Sequence, residues 1–289
     1  MASSVAPLTV VPYERRYRTE VLDLIGYSYQ RHMHLDWYEA DEWFDSVGGI
    51  VQLAWRGKQL VGMLGASYPS DGMAWLRLAA LADGVSEQEV MGRLWTPLAH
   101  AMIAAGVRTC WVLAFEPWID YAVTPLGLRQ VETLVTLRRE GDALPYIAAH
   151  GVTLHTATIN DVDGMAAVDQ AAFAPPYPMS AHDMRRAVRT SAISTVARLN
   201  GRIVGFQIST RHGDQGHLAR LAVLPEVQGR GIGALLTREC IAAFLRRQVE
   251  SVSVNTQASN ERSLKTYQAL GFERTGYDVP IYAATFVEE

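Results

Sequence analysis

Apolar positions along this chain change period several times, and each change marks an element. In the second half, residues 153–157 alternate as a short strand. Met165, Val168, Ala172 and Phe173 then recur at helical spacing, with Asn160 or Asp161 placed to cap that helix. Pro175, Pro176 and Pro178 exclude helix until Ser180, which caps a second one over about 181–189. Two β-runs, 195–199 and 202–211, flank Asn200-Gly201, a pair that tolerates positive φ and so signals a tight hairpin. A strand over 217–224, a glycine-rich loop, a helix from about 233 to 247, a strand over 251–256 and a helix over 263–270 follow. Gly271-Phe272 opens the last strands. This order predicts an α/β fold on a mixed sheet.

The first half repeats landmarks of the second. Gln59-Leu-Val-Gly62 matches Arg202-Ile-Val-Gly205, Pro125-Leu-Gly-Leu-Arg129 matches Ala269-Leu-Gly-Phe-Glu273, and Thr9 and Thr153 open matching extended runs. All three recur in one order at offsets of about 144 residues, the mark of a tandem duplication. Between the copies, residues 139–151 carry Gly141, Asp142, Pro145, His150 and Gly151 and read as a linker, giving domains at 1–140 and 151–289. Every tryptophan precedes that linker, so the two copies fill their cores differently.

Composition narrows the functional classes. With 289 residues, 49% of them hydrophobic, the chain can build two cores. A net charge of -4 argues against a phosphate-backbone surface, so nucleic acid is not an expected partner. The first residues lack a basic n-region with an apolar h-region, and no uncharged apolar run reaches membrane-spanning length. Cys110 and Cys240 have neither disulfide-framework count nor zinc spacing. A cytoplasmic protein without membrane or metal partner is expected.

The chemistry concentrates in Leu221-Ala-Val-Leu-Pro-Glu-Val-Gln228-Gly-Arg-Gly231-Ile-Gly233-Ala234, a strand entering a glycine-rich turn and a long helix. Such a turn aims main-chain N–H groups and the positive helix end at an anion, and glycine lets the backbone approach it closely. Gly229, Gly231 and Ala234 also satisfy a dinucleotide fingerprint. That reading fails, because the next strand ends near Asn255 where an acid is required, and too little chain remains for further βα units. Gln228, Gly231 and Gly233 instead match Q/R-x-x-G-x-G/A, and the segment resembles the acetyl-CoA loop of the GNAT acetyltransferases. The likeness continues through Asn260 and the run Ser263 to Phe272, including Tyr267, and covers about 153–281.

The resemblance implies two tandem GNAT folds with acetyl-CoA (coenzyme A) as cofactor. It puts Leu221, Ala222 and Val223 along the pantetheine arm, and Gln228, Gly229, Arg230, Gly231, Ile232, Gly233 and Ala234 around the pyrophosphate. Asn260 is a further cofactor contact. Tyr267 protonates or hydrogen-bonds the leaving sulfur. His217 stands where relatives carry a catalytic base, with His212 and Asp214 as nearby alternatives, and histidine titrates in a useful range. The run Phe173 to Ser180 resembles an acceptor-binding stretch of ribosomal-protein N-terminal acetyltransferases, yet their base falls on Asn255, an amide. The tandem arrangement resembles family members that acetylate a small-molecule amine with only the second half active, so the resemblance implies N-acetylation of a small-molecule primary amine. Acetylation of a protein N-terminus or lysine, and acyl-CoA sensing without turnover, are the alternatives.

The first copy reads as degenerate. Its corresponding loop, Leu81-Ala-Asp-Gly84-Val-Ser-Glu-Gln88, has one glycine and two acids where phosphate would lie, and is not expected to bind coenzyme A. Asp36, Glu39, Asp41, Glu42 and Asp45, interleaved with Trp37, Tyr38 and Trp43, read as the solvated face of a helix with core aromatics, or as one wall of a cation site.

Overall fold

The structure, a computed structural model, describes residues 6–148 and 151–286; His150 of the expected linker lies outside them. In chain order the elements are β1 (Leu8–Pro12), α1 (Arg18–Tyr27), β2 (Gln30–Met33), α2 (Ala40–Ser46), β3 (Ile50–Arg56), β4 (Gln59–Ala66) and β5 (Met73–Leu81). Then come α3 (Glu87–Ala104), β6 (Thr109–Leu113), α4 (Pro117–Val123), β7 (Arg129–Glu140), β8 (Val152–Thr156), α5 (Val162–Ala172), α6 (Ala181–Thr190) and β9 (Ile193–Leu199). The chain closes with β10 (Arg202–His212), β11 (Gln215–Val223), α7 (Ile232–Leu245), β12 (Ser251–Gln257), α8 (Glu261–Ala269) and β13 (Glu273–Thr285).

Two compact units form, but not at the boundaries expected from the sequence. One joins Met1–Glu132 to Val279–Glu289, and the other is Thr133–Asp278. The reason lies in the strand ladders. The end of β7 pairs antiparallel with β12, from Leu134↔Gln257 to Glu140↔Ser251, while the end of β13 pairs with β6, from Ile281↔Leu113 to Thr285↔Thr109. Hydrogen-bonded edges, invisible in a linear reading, decide where each unit ends. Arg139 and Glu140, expected in the linker, belong to β7.

In the second unit the ladder runs β8-β9-β10-β11-β12-β7. Asn200 (φ 50°) and Gly201 (φ 82°) make the left-handed turn of the β9–β10 hairpin. One face of the sheet carries Leu218, Val252 and Val254 against Cys240, Ile241 and Phe244 of α7 and Tyr267 of α8, with Leu270 and Phe272 closing the same core. The other face is covered by α5, which approaches β10 so closely that a Cβ on Gly164 would come within 2.9 Å of Ile203. Asp161, not Asn160, stands at the N-cap of this helix, but its side chain makes no capping bond to it. A 3-10 turn, Ile159–Asp161, precedes it, and Thr158 closes a capping box with Asp161. The Asp161 carboxylate accepts from the Thr158 backbone N–H and hydroxyl, both at 2.8 Å. Arg198 supplies its opposite charge at 2.5 Å.

The first unit repeats this plan with β1-β3-β4-β5-β6 and the end of β13. Trp43 is buried among Val21, Leu53 and Leu78. Asp45 faces Arg18 at 2.7 Å, and Asp36 faces Arg77 at 2.6 Å. Within the acidic run Asp36 and Asp45 are therefore ion-paired beside a helix whose Trp43 is core. Among the described residues no helix is long and apolar enough to cross a membrane, and no cluster of metal-binding side chains occurs.

Candidate functional site

The site of the second unit begins as a fork in its sheet. β11 pairs in parallel with β12 only from Gln215↔Ser251 to Leu218↔Val254. Opposite β10 the register then slips, with Ser209 facing Leu218 and Ile208 facing Arg220, so Ala219 is an extra residue on β11. A bulge of this kind bends a strand and ends local pairing. Past it, Leu221, Ala222 and Val223 keep their ladder to β10 but have no strand on the β12 side. The main-chain groups of Leu221 and the Val223 N–H, which point away from β10, are left available to an extended ligand.

The fork leads into the glycine turn. Gly229 (φ 80°) and Gly231 (φ 77°) are left-handed, a conformation that costs an L side chain about 1 kcal/mol or more. Gly231 is the N-cap of α7, and no side chain caps it. The first-turn amides at Ile232, Gly233 and Ala234 therefore carry the unsatisfied positive end of a 14-residue helix. The Gln228 amide is structural: its Nε2 donates to Val223 O at 3.0 Å, and its Oε1 accepts from Arg262. Arg230 is exposed. This donor set fits a pyrophosphate, and the adjoining open strand edge fits an amide-bearing arm such as pantetheine. The 141–148 segment lies beside it: Arg238 Nε donates to Pro145 O at 2.9 Å, and a Cβ on Gly231 would meet Ala148 O at 3.1 Å.

Leu221 and Ala234 pack against the core cluster that contains Tyr267, so strand, loop and tyrosine converge. Tyr267 is 4% exposed, 5.7 Å from the Phe272 ring, and burial pushes its phenol well above the ordinary tyrosine range. Asn260 accepts from the Ser263 N–H at 3.1 Å as the N-cap of α8; capping is the role its geometry displays.

His217 sits at the base of the fork, paired with Ser253. Its neighbours Gly216 and Leu218 face Phe244, so by strand alternation His217 faces the side covered by α5. Its Nδ1 lies 2.9 Å from Ser253 Oγ, which is also 3.3 Å from Gly216 O. The Ser253 hydroxyl has one proton; given to the carbonyl, it leaves Oγ to accept from Nδ1–H and Nε2 with its lone pair. Burial first, then His212, lower the His217 pKa to about 4. The imidazole is neutral near pH 7. Asn255 stands on the same side of β12, its Nδ2 donating to Thr136 Oγ1 at 3.0 Å.

Two residues of this face escape the linear reading. Arg220 follows the bulge and binds Asp169 of α5 through Nε–Oδ1 at 2.7 Å and Nη2–Oδ2 at 2.8 Å. Asp169 occupies a position on the buried stripe of α5 and has no exposed surface. An acid on an apolar helical stripe, with an arginine on a buried strand, was the available signal.

In the first unit the equivalent fork is filled. β5 pairs with β6 only over Met73–Trp75, and the register slip between Gly65 and Ala66 leaves Arg77 as the extra residue. Beyond it β2 lies along β5, from Met33↔Leu78 to Gln30↔Leu81. The loop is sealed as well: Tyr29 N–H donates to Asp83 at 3.3 Å, and Gln30 Nε2 to Glu87 at 2.7 Å. Ser86 caps α3. The first copy has spent on its own chain the groups that a cofactor would use.

Comparison with known proteins agrees with this architecture. The acetyltransferase (GNAT) family profile matches residues 163–272. Mycothiol acetyltransferase of Tsukamurella paurometabola is 33% identical over 169 residues, 51% of this chain and 58% of that one. The chain thus spans little more than half the length of that relative. Mycothiol acetyltransferase of Mycobacterium sp. (strain JLS) is 30% identical over 223 residues, 71% and 69% of the two chains. The solved tandem GNAT protein from the clavulanic acid biosynthesis pathway superposes with a TM-score of 0.69 at 16% identity, over 98% of this chain and all of that one. At that identity the likeness concerns the fold, and it is the tandem fold expected from the sequence.

Proposed function

Because the chain belongs to the GNAT acetyltransferase family, we propose that its second unit transfers acetyl from acetyl-CoA to a small-molecule primary amine by direct attack in a ternary complex. One observation carries this reading: the open edge of β11 over Leu221–Val223 runs straight into a left-handed glycine turn and the uncapped start of α7.

When bound, acetyl-CoA supplies the acetyl group as an activated thioester. Main-chain N–H groups of Leu221 and Val223, the residues of this run that point away from β10, hold the arm and donate to the thioester oxygen as it gains charge. Amides from Gly229 to Ala234 hold the pyrophosphate at the α7 dipole, and Arg230 adds charge from the exposed side of the turn. His217 Nε2 takes a proton as the amine nitrogen bonds to the acyl carbon. Its low pKa keeps it unprotonated at neutral pH while making it a mild base. As the carbon–sulfur bond breaks, Tyr267 donates its phenol proton to the departing sulfur. Its burial favours the neutral phenol that this step requires.

The acceptor is a small amine. The relatives in Tsukamurella and Mycobacterium are mycothiol acetyltransferases, which makes the amine of a mycothiol precursor the first acceptor to offer. Peptide N-termini have less support, since Asn255 cannot take a proton and its amide is engaged by Thr136. The test is release of coenzyme A thiol across a panel of small primary amines that includes that precursor. Amine-dependent release supports the reading; tight acetyl-CoA binding without release on any amine would sink it and leave a sensor.

A further inference from the structure

Asp169 and Arg220 form the most deeply placed ion pair on the acceptor face. Asp169 is fully buried and the Arg220 side chain is 15% exposed. Such a pair loses hydration on both partners, and its replacement by apolar residues is often neutral or stabilising. Stability alone gives little reason for it. What it does is tie one segment to one strand.

Arg220 stands between the bulge at Ala219 and the open edge that begins at Leu221. Its guanidinium reaches the 173–179 segment twice directly and once through Asp169. It lies 3.7 Å over the Phe173 ring, Nη2 donates to Tyr177 O at 2.8 Å, and the carboxylate it grips accepts from the Met179 N–H at 2.7 Å. The segment after α5 is thereby fixed to the strand expected to hold the thioester, on the side of the sheet where His217 points.

We infer that Arg220, through Asp169, is a positioning residue for the acceptor: it locks the 173–179 segment as the wall that sets the amine against the thioester. This rests on the acetyltransferase reading above. The bidentate fork and the stack over Phe173 restrict the segment in rotation as well as distance, which a lysine cannot reproduce. Displacement of a reactant by an ångström costs about 100-fold in rate.

The test uses the full chain. Arg220→Lys keeps the charge but loses the fork. The double variant Arg220→Met with Asp169→Leu removes the pair without stranding a buried charge, so it is the version expected to fold. Three readouts separate the possibilities: the acetyl-CoA dissociation constant, kcat/KM for the mycothiol-precursor amine or the best amine of the panel, and hydrogen exchange at 174–179. The expected result is unchanged acetyl-CoA binding, kcat/KM for the amine lower by about 10- to 100-fold in both variants, and faster exchange at 174–179, most of all at Met179. A purely structural pair predicts wild-type kinetics in the folded double variant, which would overturn the inference. If the wild type acetylates no amine, the acetyltransferase reading fails by itself. Exchange still decides the placement, and unchanged protection at 174–179 overturns it.

Discussion

His32 of β2 is the ladder partner of Ala79 on β5, so the first unit closes with its own strand the edge that the second unit leaves open beyond Leu218. Main-chain groups already paired within a sheet are not offered to a ligand without breaking that ladder. Calorimetric titration with acetyl-CoA is therefore expected to give one site per chain. Gly231→Asp, which brings a side chain and a negative charge to a left-handed position at the helix start, should abolish that site. Two sites in the wild type, or an unaffected site in the variant, would contradict the assignment of roles to the two units.

Tyr267→Phe removes the phenol proton while keeping the ring among Cys240, Leu270 and Phe272. The expected outcome is a loss of kcat of about 100-fold or more, with acetyl-CoA affinity within about 2-fold and a melting temperature close to wild type. Steady-state kinetics with parallel calorimetry checks this. Loss of affinity and stability without a selective fall in kcat would make Tyr267 a core aromatic only.

Acid stability should report the buried histidines. His32 is 1% exposed, and burial lowers its pKa to about 3. His217 is lowered to about 4. Both titrate lower in the folded state than near 6.5, their value when unfolded, so the stability they contribute is present above pH 6.5. It is lost as pH falls toward 4 for His217 and toward 3 for His32. Each adds a slope of up to about 1.4 kcal/mol per pH unit across its window. Urea unfolding at pH 7 and pH 5 is expected to show a shallower pH dependence in His32→Leu than in wild type. Equal slopes would refute the assignment.

Gly216→Ala tests the packing under the fork. A Cβ there would stand 2.7 Å from the Phe244 ring, and that ring is fully buried. Overpacking of this kind costs about 1–3 kcal/mol. Pairing Gly216→Ala with Phe244→Leu, which makes room, should recover part of the loss. Denaturant midpoints measure both, and a neutral single variant would show that the helix yields more easily than the geometry implies.

Much of this protein is legible in one dimension because the controlling physics is local. Asn200-Gly201 dictates a hairpin through the φ values its residues tolerate. Pro175, Pro176 and Pro178 end one helix, and Ser180 starts the next through its bond from the Asp183 N–H. Gln228 through Ala234 announce an anion turn because glycine spacing and a following helix suffice to build one. The duplicated landmarks disclose the tandem plan for the same reason. Tertiary structure alone decided how strand edges are shared out. It sent Thr133–Glu140 to the second unit and Val279–Thr285 to the first, laid β2 across the first fork, and joined Arg220 to Asp169 across 51 residues of sequence. Each of these depends on hydrogen-bond partners or buried charges meeting in space. A pattern of apolar positions records which face of an element is buried, but not against which partner.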